Sequence, residues 1–272
     1  MSTHDSQLRE MMSYFNLSQL PFTKEMDLRH LVLLPSLEKV FRQLHLLVSL
    51  RGIGVLVGKS GTGKSCLLRL LKEELSPSCY HTVYVCHSTV HTTEFYSHLA
   101  SGFGIPPAGR RSFLFRKLKE QIEMLYSSKR ICSILIIDEA HLLSTEILQE
   151  LRLLANFSMD SKNLLTILLC GQEDMLLKFG LSSLEFLANS IAVVVKIHGL
   201  TPEESFSYIE KRISESGCST SLFTKAALNT IHQASGGTMR VINTIALASL
   251  MKVFMLKQKQ VEAEHVQMVI AR

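Results

Sequence analysis

Five short, continuously apolar blocks mark the middle of the chain: Gly54 to Val57, Thr82 to Cys86, Ile131 to Ile137, Leu164 to Cys170 and Ala192 to Ile197. Strand side chains project alternately to the two faces of a sheet, so a short run with no polar alternation predicts a strand buried on both sides. Between the blocks the spacing turns helical, over Lys64 to Leu75, Thr93 to Phe103, Ser112 to Tyr126 and Ser144 to Ala155. Alternating strands and helices predict an α/β layer fold, a parallel sheet with helices on its faces. After Leu200 no apolar block recurs, and Glu203 to Ser216, Thr224 to Ala234 and Arg240 to Lys257 read as helices. A small all-helical subdomain is therefore expected behind the sheet. Its entry is specified locally: Thr201 caps, Pro202 suits the first helical position, and Glu204 completes a capping box. Ahead of the sheet lie a Pro-Phe turn, Pro21-Phe22, and a helix candidate from Ser36 to Leu50. The expected layout is an N-terminal segment over 1–50, an α/β core over 51–199 and a helical lid over 200–272, without repeats or low-complexity tracts.

Composition narrows the class. With 46% hydrophobic and 19% charged residues the chain is far from a disordered composition. The longest apolar stretches, Ile134 to Ile137 and Ile191 to Val195, fall well short of the ~18 residues a membrane span needs. A polar start at Ser2 to Ser6 lacks the basic and apolar regions of a secretory signal, so the chain is expected to stay inside the cell. Six scattered cysteines (Cys66, Cys79, Cys86, Cys132, Cys170, Cys218) fit neither a disulfide framework nor a zinc site and are expected to be small buried hydrophobes. A net charge of +5 is compatible with a polyanionic partner without requiring one.

The chemistry concentrates at Gly58-Lys59-Ser60-Gly61-Thr62-Gly63-Lys64-Ser65, which fits the phosphate-binding pattern G-x-x-x-x-G-K-[ST] and lies between a predicted strand and a predicted helix. Its glycines let successive backbone N–H groups curl around phosphates, and the helix that starts at Lys64 and runs through Cys66 aims its positive end at them. Lys64 is expected to reach the β and γ oxygens of a nucleoside triphosphate, and the Ser65 hydroxyl to bind Mg²⁺. The strand Ile134 to Ile137 ends in Asp138-Glu139: Asp138 suits the Mg²⁺ shell, and Glu139 is placed to polarise an attacking water. That pair favours triphosphate hydrolysis over phosphoryl transfer to a metabolite. Asp138-Glu139-Ala140-His141 also spells a helicase box, but the chain has room for one such α/β domain where those helicases use two, so His141 is expected in a turn or interface. Gln172, after the strand Leu164 to Cys170, is expected between the loop and the Asp138 strand, where its amide senses the γ-phosphate; the alternative is a polar strand end. Arg240, after Gly236-Gly237-Thr238-Met239, stands at a helix start from which it would fold over the phosphates, or is simply an exposed helix-start arginine.

In this order the elements resemble the AAA+ ATPases, specifically their ExeA-like branch, which includes secretion-associated ATPases and the TnsC/TniB-like regulators of DDE transposases. The resemblance covers nearly the whole chain. It rests on Tyr14-Phe15 with Leu20-Pro21-Phe22, on Leu151-Arg152-Leu153-Leu154-Ala155-Asn156-Phe157, on Leu168 to Glu173, on Leu200-Thr201-Pro202-Glu203-Glu204, on Gly236 to Arg240 and on Glu264-His265-Val266. It implies a three-layer αβα core with a helical lid, bacterial cytoplasm, ATP with Mg²⁺ as ligands, Pro21-Phe22 and Leu34-Pro35 bordering the adenine, Gln172 as sensor 1 and Arg240 as sensor 2. One departure stands out. Where the branch tends to carry an arginine that reaches a neighbouring subunit's γ-phosphate, the run Leu187-Ala188-Asn189-Ser190-Ile191 places Ser190. An arginine finger contributes ~10³ to 10⁵ in turnover, so slow hydrolysis is expected unless Arg152 or Lys178 substitutes.

The densest basic cluster, Arg110, Arg111, Arg116, Lys117 and Lys119, would neutralise phosphates of duplex DNA without reading sequence, unless it is only a solvated helix face. With the resemblance, the expected function is an ATP-dependent DNA-binding regulator of transposition. It would form a head-to-tail ring or filament on duplex DNA and link a DDE transposase to a target-selection protein. The alternatives are an ExeA-type secretion or envelope ATPase acting on protein partners, a helicase loader, and a nucleotide-gated scaffold that does not hydrolyse. The 272 residues are expected to leave no room for a membrane anchor, a cell-wall module or a winged helix.

Overall fold

In a computed structural model of the chain, which describes residues 3–23, 34–86 and 90–271, the elements follow in the order α1 (Thr3–Tyr14), α2 (Pro35–Leu50), β1 (Ile53–Gly58), α3 (Lys64–Glu74), β2 (Tyr80–Val85), α4 (Thr92–Gly102), α5 (Arg111–Lys129), β3 (Cys132–Ile137), α6 (Thr145–Ala155), β4 (Leu165–Gly171), α7 (Asp174–Lys178), α8 (Glu185–Asn189), β5 (Ile191–Ile197), α9 (Pro202–Glu215), α10 (Lys225–Ser235), α11 (Met239–Met255) and α12 (Ala263–Ile270). All five apolar blocks are strands of one sheet. The order across it is β2-β3-β4-β1-β5, and every neighbouring pair is parallel. The result is a parallel five-stranded sheet between helices.

The chain divides into two compact units, one of 37–59 with 64–197 and one of 1–36, 60–63 and 198–272. Part of the segment expected over 1–50, residues 24–33, lies outside the described residues. In the sheet unit, β1, β3 and β4 are buried along their whole length, which is why they read as unbroken apolar runs. One face, carried by Val55, Val57, Leu135, Ile137, Ile167 and Leu169, packs with Phe95, Leu99, Leu114, Leu118, Ile122, Leu148 and Leu151 of α4, α5 and α6. On the other face α2 lies so close to β1 that a Cβ on Gly54 would sit 2.2 Å from the Leu47 side chain. Burial on both faces fails for the two edge strands: β2 is mostly half-exposed, and β5 alternates, with Val194 open to solvent. Their apolar runs reflect β-propensity and one buried face rather than full enclosure.

The burial expected of the cysteines holds for Cys132, Cys170 and Cys218, whereas Cys66, Cys79 and Cys86 are exposed. Cys66 lies exposed in the first turn of α3, and Cys79 and Cys86 flank β2, a strand at the edge of the sheet.

In the second unit α9 opens with the capping box: Thr201 Oγ1 accepts from the Glu204 N–H at 3.2 Å, and the Glu204 carboxylate accepts from the Thr201 N–H at 3.1 Å. Such caps contribute ~1 kcal/mol. The helix α12 had no counterpart in the sequence pattern; only Val266 and His265 are buried on it, and its cap is an unusual one from Glu262, with His265 Nδ1 accepting from the Glu262 N–H. The joint between α10 and α11 depends on Gly236 and Gly237, both left-handed (φ 55° and 73°), with a Cβ on Gly237 falling 2.2 Å from the Leu200 carbonyl oxygen. Among the described residues no helix is long and apolar enough to cross a membrane. Replacing Gly237 by Ala should lower stability by about 3 kcal/mol, since both the positive φ and the backbone clash oppose a side chain. Thermal unfolding measures this, and an unchanged midpoint would contradict so close an approach to Leu200.

Candidate functional site

Because all strands run parallel, the C-terminal ends of β1, β3 and β4 open on the same edge of the sheet, and β4 lies between the other two. The register levels Val57 with Gly171 and Ile137 with Leu169. The residues after β3, Asp138 and Glu139, thus come beside Cys170 and Gly171, and Gln172 follows at the same edge. Lys64 and Ser65 begin α3, directly after the loop that leaves β1.

The loop has the geometry of a phosphate cradle. Gly61 and Gly63 take φ of 83° and 103°, values that L side chains rarely adopt and that turn consecutive N–H groups towards one centre. Lys64 is buried, and its ammonium lies over the loop, donating to the carbonyls of Gly58 at 2.7 Å and Lys59 at 2.9 Å. Those bonds hold its charge at the mouth of the cradle. Ser60 to Gly63 belong to the unit that also contains Arg240. There the Arg240 guanidinium donates to Ser60 Oγ at 3.0 Å, its backbone N–H donates to the Gly61 carbonyl, and a Cβ on Gly61 would meet the Arg240 side chain at 2.7 Å. Thr62 is buried.

Ser65 Oγ donates to Asp138 Oδ2 at 3.4 Å. Asp138 is itself buried and held: Tyr84 of β2 donates its hydroxyl to Oδ2 at 3.0 Å, and the Glu139 N–H donates to Oδ1 at 2.9 Å. Burial first, and then the Asp138 carboxylate, push the Tyr84 hydroxyl up from its ordinary pKa, and the same two causes push the Cys170 thiol well up. Both therefore stay neutral beside the carboxylate. A hydroxyl and one carboxylate are hard oxygen donors of the kind Mg²⁺ accepts when phosphates and waters complete an octahedron. The described residues hold no cluster of three His, Cys, Asp or Glu that would cage a metal unaided. The donor set fits a metal that arrives with a triphosphate, and Ser65 and Asp138 are the residues that would hold it.

Glu139 adopts a left-handed conformation (φ 53°, ψ 34°) immediately before the 3-10 turn Ala140–Leu142, and its side chain is half-exposed. Its Oε2 lies 3.4 Å from Nδ1 of His141. His141 is buried in that turn, and Nε2 of its ring lies 3.3 Å from Nε2 of Gln172. The contact of Gln172 with His141 has no local signal in the sequence, since residues 141 and 172 meet only through the β3-β4 pairing.

Other predicted positions have partners of their own. Phe22 is buried in a turn with φ 64°, edge-on to Phe223 and under the Arg212 guanidinium, with Pro21 before it. Ser190 closes α8 and donates its hydroxyl to the Phe186 carbonyl at 2.7 Å. Arg152 pairs with Asp160 at 2.8 Å, and Lys178 donates to the carbonyls of His141 and Leu143. The five basic residues do not form one surface. At about 100° per residue they spread around α5. Arg111 pairs with the buried Glu150, which also accepts from Tyr96; Arg116 and Lys117 both pair with Glu120; Lys119 donates to the Asn156 carbonyl and lies over the Phe157 ring. Burial lowers the Lys119 pKa. Arg110 is the exposed residue that precedes the helix.

A parallel sheet in the order β2-β3-β4-β1-β5, with Lys64 and Ser65 following β1 and Asp138 and Glu139 following β3, has the P-loop AAA+ fold. Residues 47–179 match the family model described as an AAA domain. General secretion pathway protein A of Aeromonas hydrophila is 29% identical over 246 residues, which is 89% of this chain and 44% of that protein, so the chain spans less than half of that relative's length. Among solved structures, Cdc6p from Pyrobaculum aerophilum is similar at a TM-score of 0.68 and 19% identity, over 88% of this chain and 67% of that one. The ORC1 protein of Aeropyrum pernix, solved in complex with DNA, is similar at a TM-score of 0.68 and 16% identity, over 92% and 68%. At these identities the structures share the fold.

Replacing Lys64 by Ala removes the ammonium that the Gly58 and Lys59 carbonyls hold. Triphosphate affinity should fall roughly a hundredfold, since charge-assisted hydrogen bonds are worth about 1.5 to 3 kcal/mol each. Titration with a fluorescent nucleotide reads this directly, and unaltered affinity would remove Lys64 from the site.

Proposed function

We propose that this chain binds ATP with Mg²⁺, hydrolyses it to ADP and phosphate, and uses the nucleotide state to control assembly on duplex DNA, from which it recruits or activates a DDE transposase. The observation that carries the hydrolytic part is the convergence of Lys64, Ser65, Asp138, Glu139 and Gln172 on one edge of the sheet. Water attacks the γ-phosphorus, the bond to the β,γ-bridging oxygen breaks, and Glu139 takes the water's proton while the leaving electron pair stays on ADP. Lys64 neutralises charge on the β and γ oxygens; Ser65 and Asp138 hold the Mg²⁺ that supplies the remaining neutralisation. Gln172 is assigned to the γ-phosphate as sensor 1, Arg240 to the same group as sensor 2, and Pro21-Phe22 to the adenine. With Ser190 in place of an arginine finger, turnover is slow.

Glu139→Gln should keep ATP binding and lower turnover by about 10² to 10⁴, the usual worth of a general base. Steady-state phosphate release with and without the substitution decides between a hydrolase and a scaffold that only binds.

The DNA reading draws on the motifs shared with the transposition regulators and on the cations left on the surface. Arg111 and Lys119 are committed to Glu150 and Asn156, so the interface is assigned to Arg110, Arg116 and Lys117. Three phosphate contacts per subunit predict a log–log salt slope of about −3 rather than about −5. A protein substrate is the second reading, favoured by the similarity to general secretion pathway protein A. Filter retention of duplex DNA with a nonhydrolysable ATP analogue, ADP or no nucleotide separates the two. Retention only with the analogue supports the DNA reading; equal, weak retention in all three sinks it in favour of a protein partner.

A further inference from the structure

We propose that His141 is a positioning residue that holds the Glu139 carboxylate and couples it to Gln172, so that the group sensing the γ-phosphate and the base that activates water are mechanically joined. The inference rests on Glu139 being the base of the proposed hydrolysis.

The ring of His141 is buried, at 8% exposure, and fixed from two sides. Gly171 admits it, because a Cβ there would stand 3.0 Å from the His141 backbone nitrogen, 3.3 Å from its Cβ and 3.3 Å from Nδ1 of the ring. Lys178 of α7 ties down the backbone, donating to the carbonyls of His141 and of Leu143, the latter at 3.1 Å. Within this frame Nδ1 is buried with no aligned hydrogen-bond partner among the described residues, although Glu139 Oε2 is 3.4 Å away. An unsatisfied buried nitrogen costs about 1 to 3 kcal/mol, a cost that a fold with no use for the group would have shed by placing an apolar residue there.

The polarity of the contacts gives that nitrogen a use. Gln172 Nε2 is a donor, so the ring nitrogen facing it at 3.3 Å must accept. In the neutral imidazole this leaves the proton on Nδ1, where it faces the Glu139 carboxylate. Gln172 N–H to His141 Nε2, and His141 Nδ1–H towards Glu139 Oε2, is a one-directional chain that needs no net charge on the ring. A side-chain amide carries two hydrogens, so Gln172 can offer one to His141 and the other to a phosphate oxygen. Engagement of the γ-phosphate then orients the amide, the amide orients the imidazole, and the imidazole sets the carboxylate that takes the proton. Glu139 requires such a guide because its left-handed backbone and half-exposed side chain leave it otherwise free to turn in solvent.

Three substitutions separate the two arms. His141→Ala removes both contacts, His141→Asn retains a polar atom near the Nδ1 position, and His141→Gln retains one near the Nε2 position. The expected result is that His141→Ala lowers kcat on the order of ten- to a hundredfold, the loss that misplacement of a reacting group produces, while the dissociation constant of a fluorescent ATP analogue is unchanged. His141→Asn should recover part of the rate and His141→Gln little of it. Gln172→Ala should lower kcat in the unaltered chain and lower it by a smaller factor in the His141→Ala background, where only its phosphate contact is left to lose, the non-additivity expected of linked groups. An unchanged kcat in His141→Ala overturns the proposal, and so does a parallel loss of nucleotide affinity and thermal stability, which marks a structural histidine. Additive losses from the two single substitutions overturn the coupling. If Glu139→Gln turns over as fast as the unaltered chain, the role of Glu139 itself falls and the relay with it; if Glu139→Gln is slow and His141→Ala is fast, only the relay falls.

Discussion

Insertion of β4 between β1 and β3 is the constraint on which the site depends. A hydrogen-bonded neighbour lies ~5 Å away in a sheet, so strands on either side of β4 are ~10 Å apart. That separation is too wide for the start of α3 and the carboxylate pair to touch through their backbones, and wide enough for the triphosphate and metal proposed to bind there. The side chains that cross the gap are those that can: Ser65 reaches Asp138 from the first turn of α3. Gln172 exists at this edge only because β4 runs parallel to both neighbours and ends level with them. An antiparallel β4 would have delivered its amino end here and left no residue to face both halves of the site.

The same spacing explains why so many polar groups near Asp138 are neutral. A buried carboxylate is costly without donors, and the site supplies Tyr84, the Glu139 N–H and Ser65. None of these brings a positive charge. A lysine or arginine fixed in that place would satisfy the carboxylate and also repel the divalent cation proposed to bind there. Neutral donors can yield to a metal, and the protons of Tyr84 and Cys170 are firmly kept because burial and the carboxylate both oppose their loss.

Much of this was legible in the sequence. A strand enclosed on both faces is mostly apolar, so β1, β3 and β4 stand out even with Ser133 and Thr166 among their buried residues, and the motif alone places Gly58 to Ser65 between strand and helix. Local signals do not carry strand order, because crossover connections rather than composition decide which strand lies beside which. The exposure of β2 and β5 at the two edges, and of Cys79 and Cys86 beside β2, follows from that order and was misjudged with it. The helix α12 escaped because two buried residues in eight make no visible stripe. The meeting of His141 with Gln172 escaped for a third reason: it is a product of register, and register is set by pairing over the whole length of β3 and β4.

The basic cluster shows how charge counted along a chain differs from charge placed on a surface. Five cations within ten positions look like a binding patch, yet a helix distributes consecutive residues around its axis, and each face meets a different environment. Lys119 faces inward, where its ammonium closes the end of α6 through Asn156 and rests on Phe157; Arg111 satisfies a glutamate that Tyr96 already binds. Truncating either would leave a buried carbonyl or a buried carboxylate short of a donor, so loss of stability would accompany any loss of binding. Arg116 and Lys117 share Glu120 in exposed pairs, which are worth little and are readily exchanged for a phosphate. Only cations of that exchangeable kind can report on a polyanion, because for them the partner in the free chain and the partner in a complex compete on nearly equal terms.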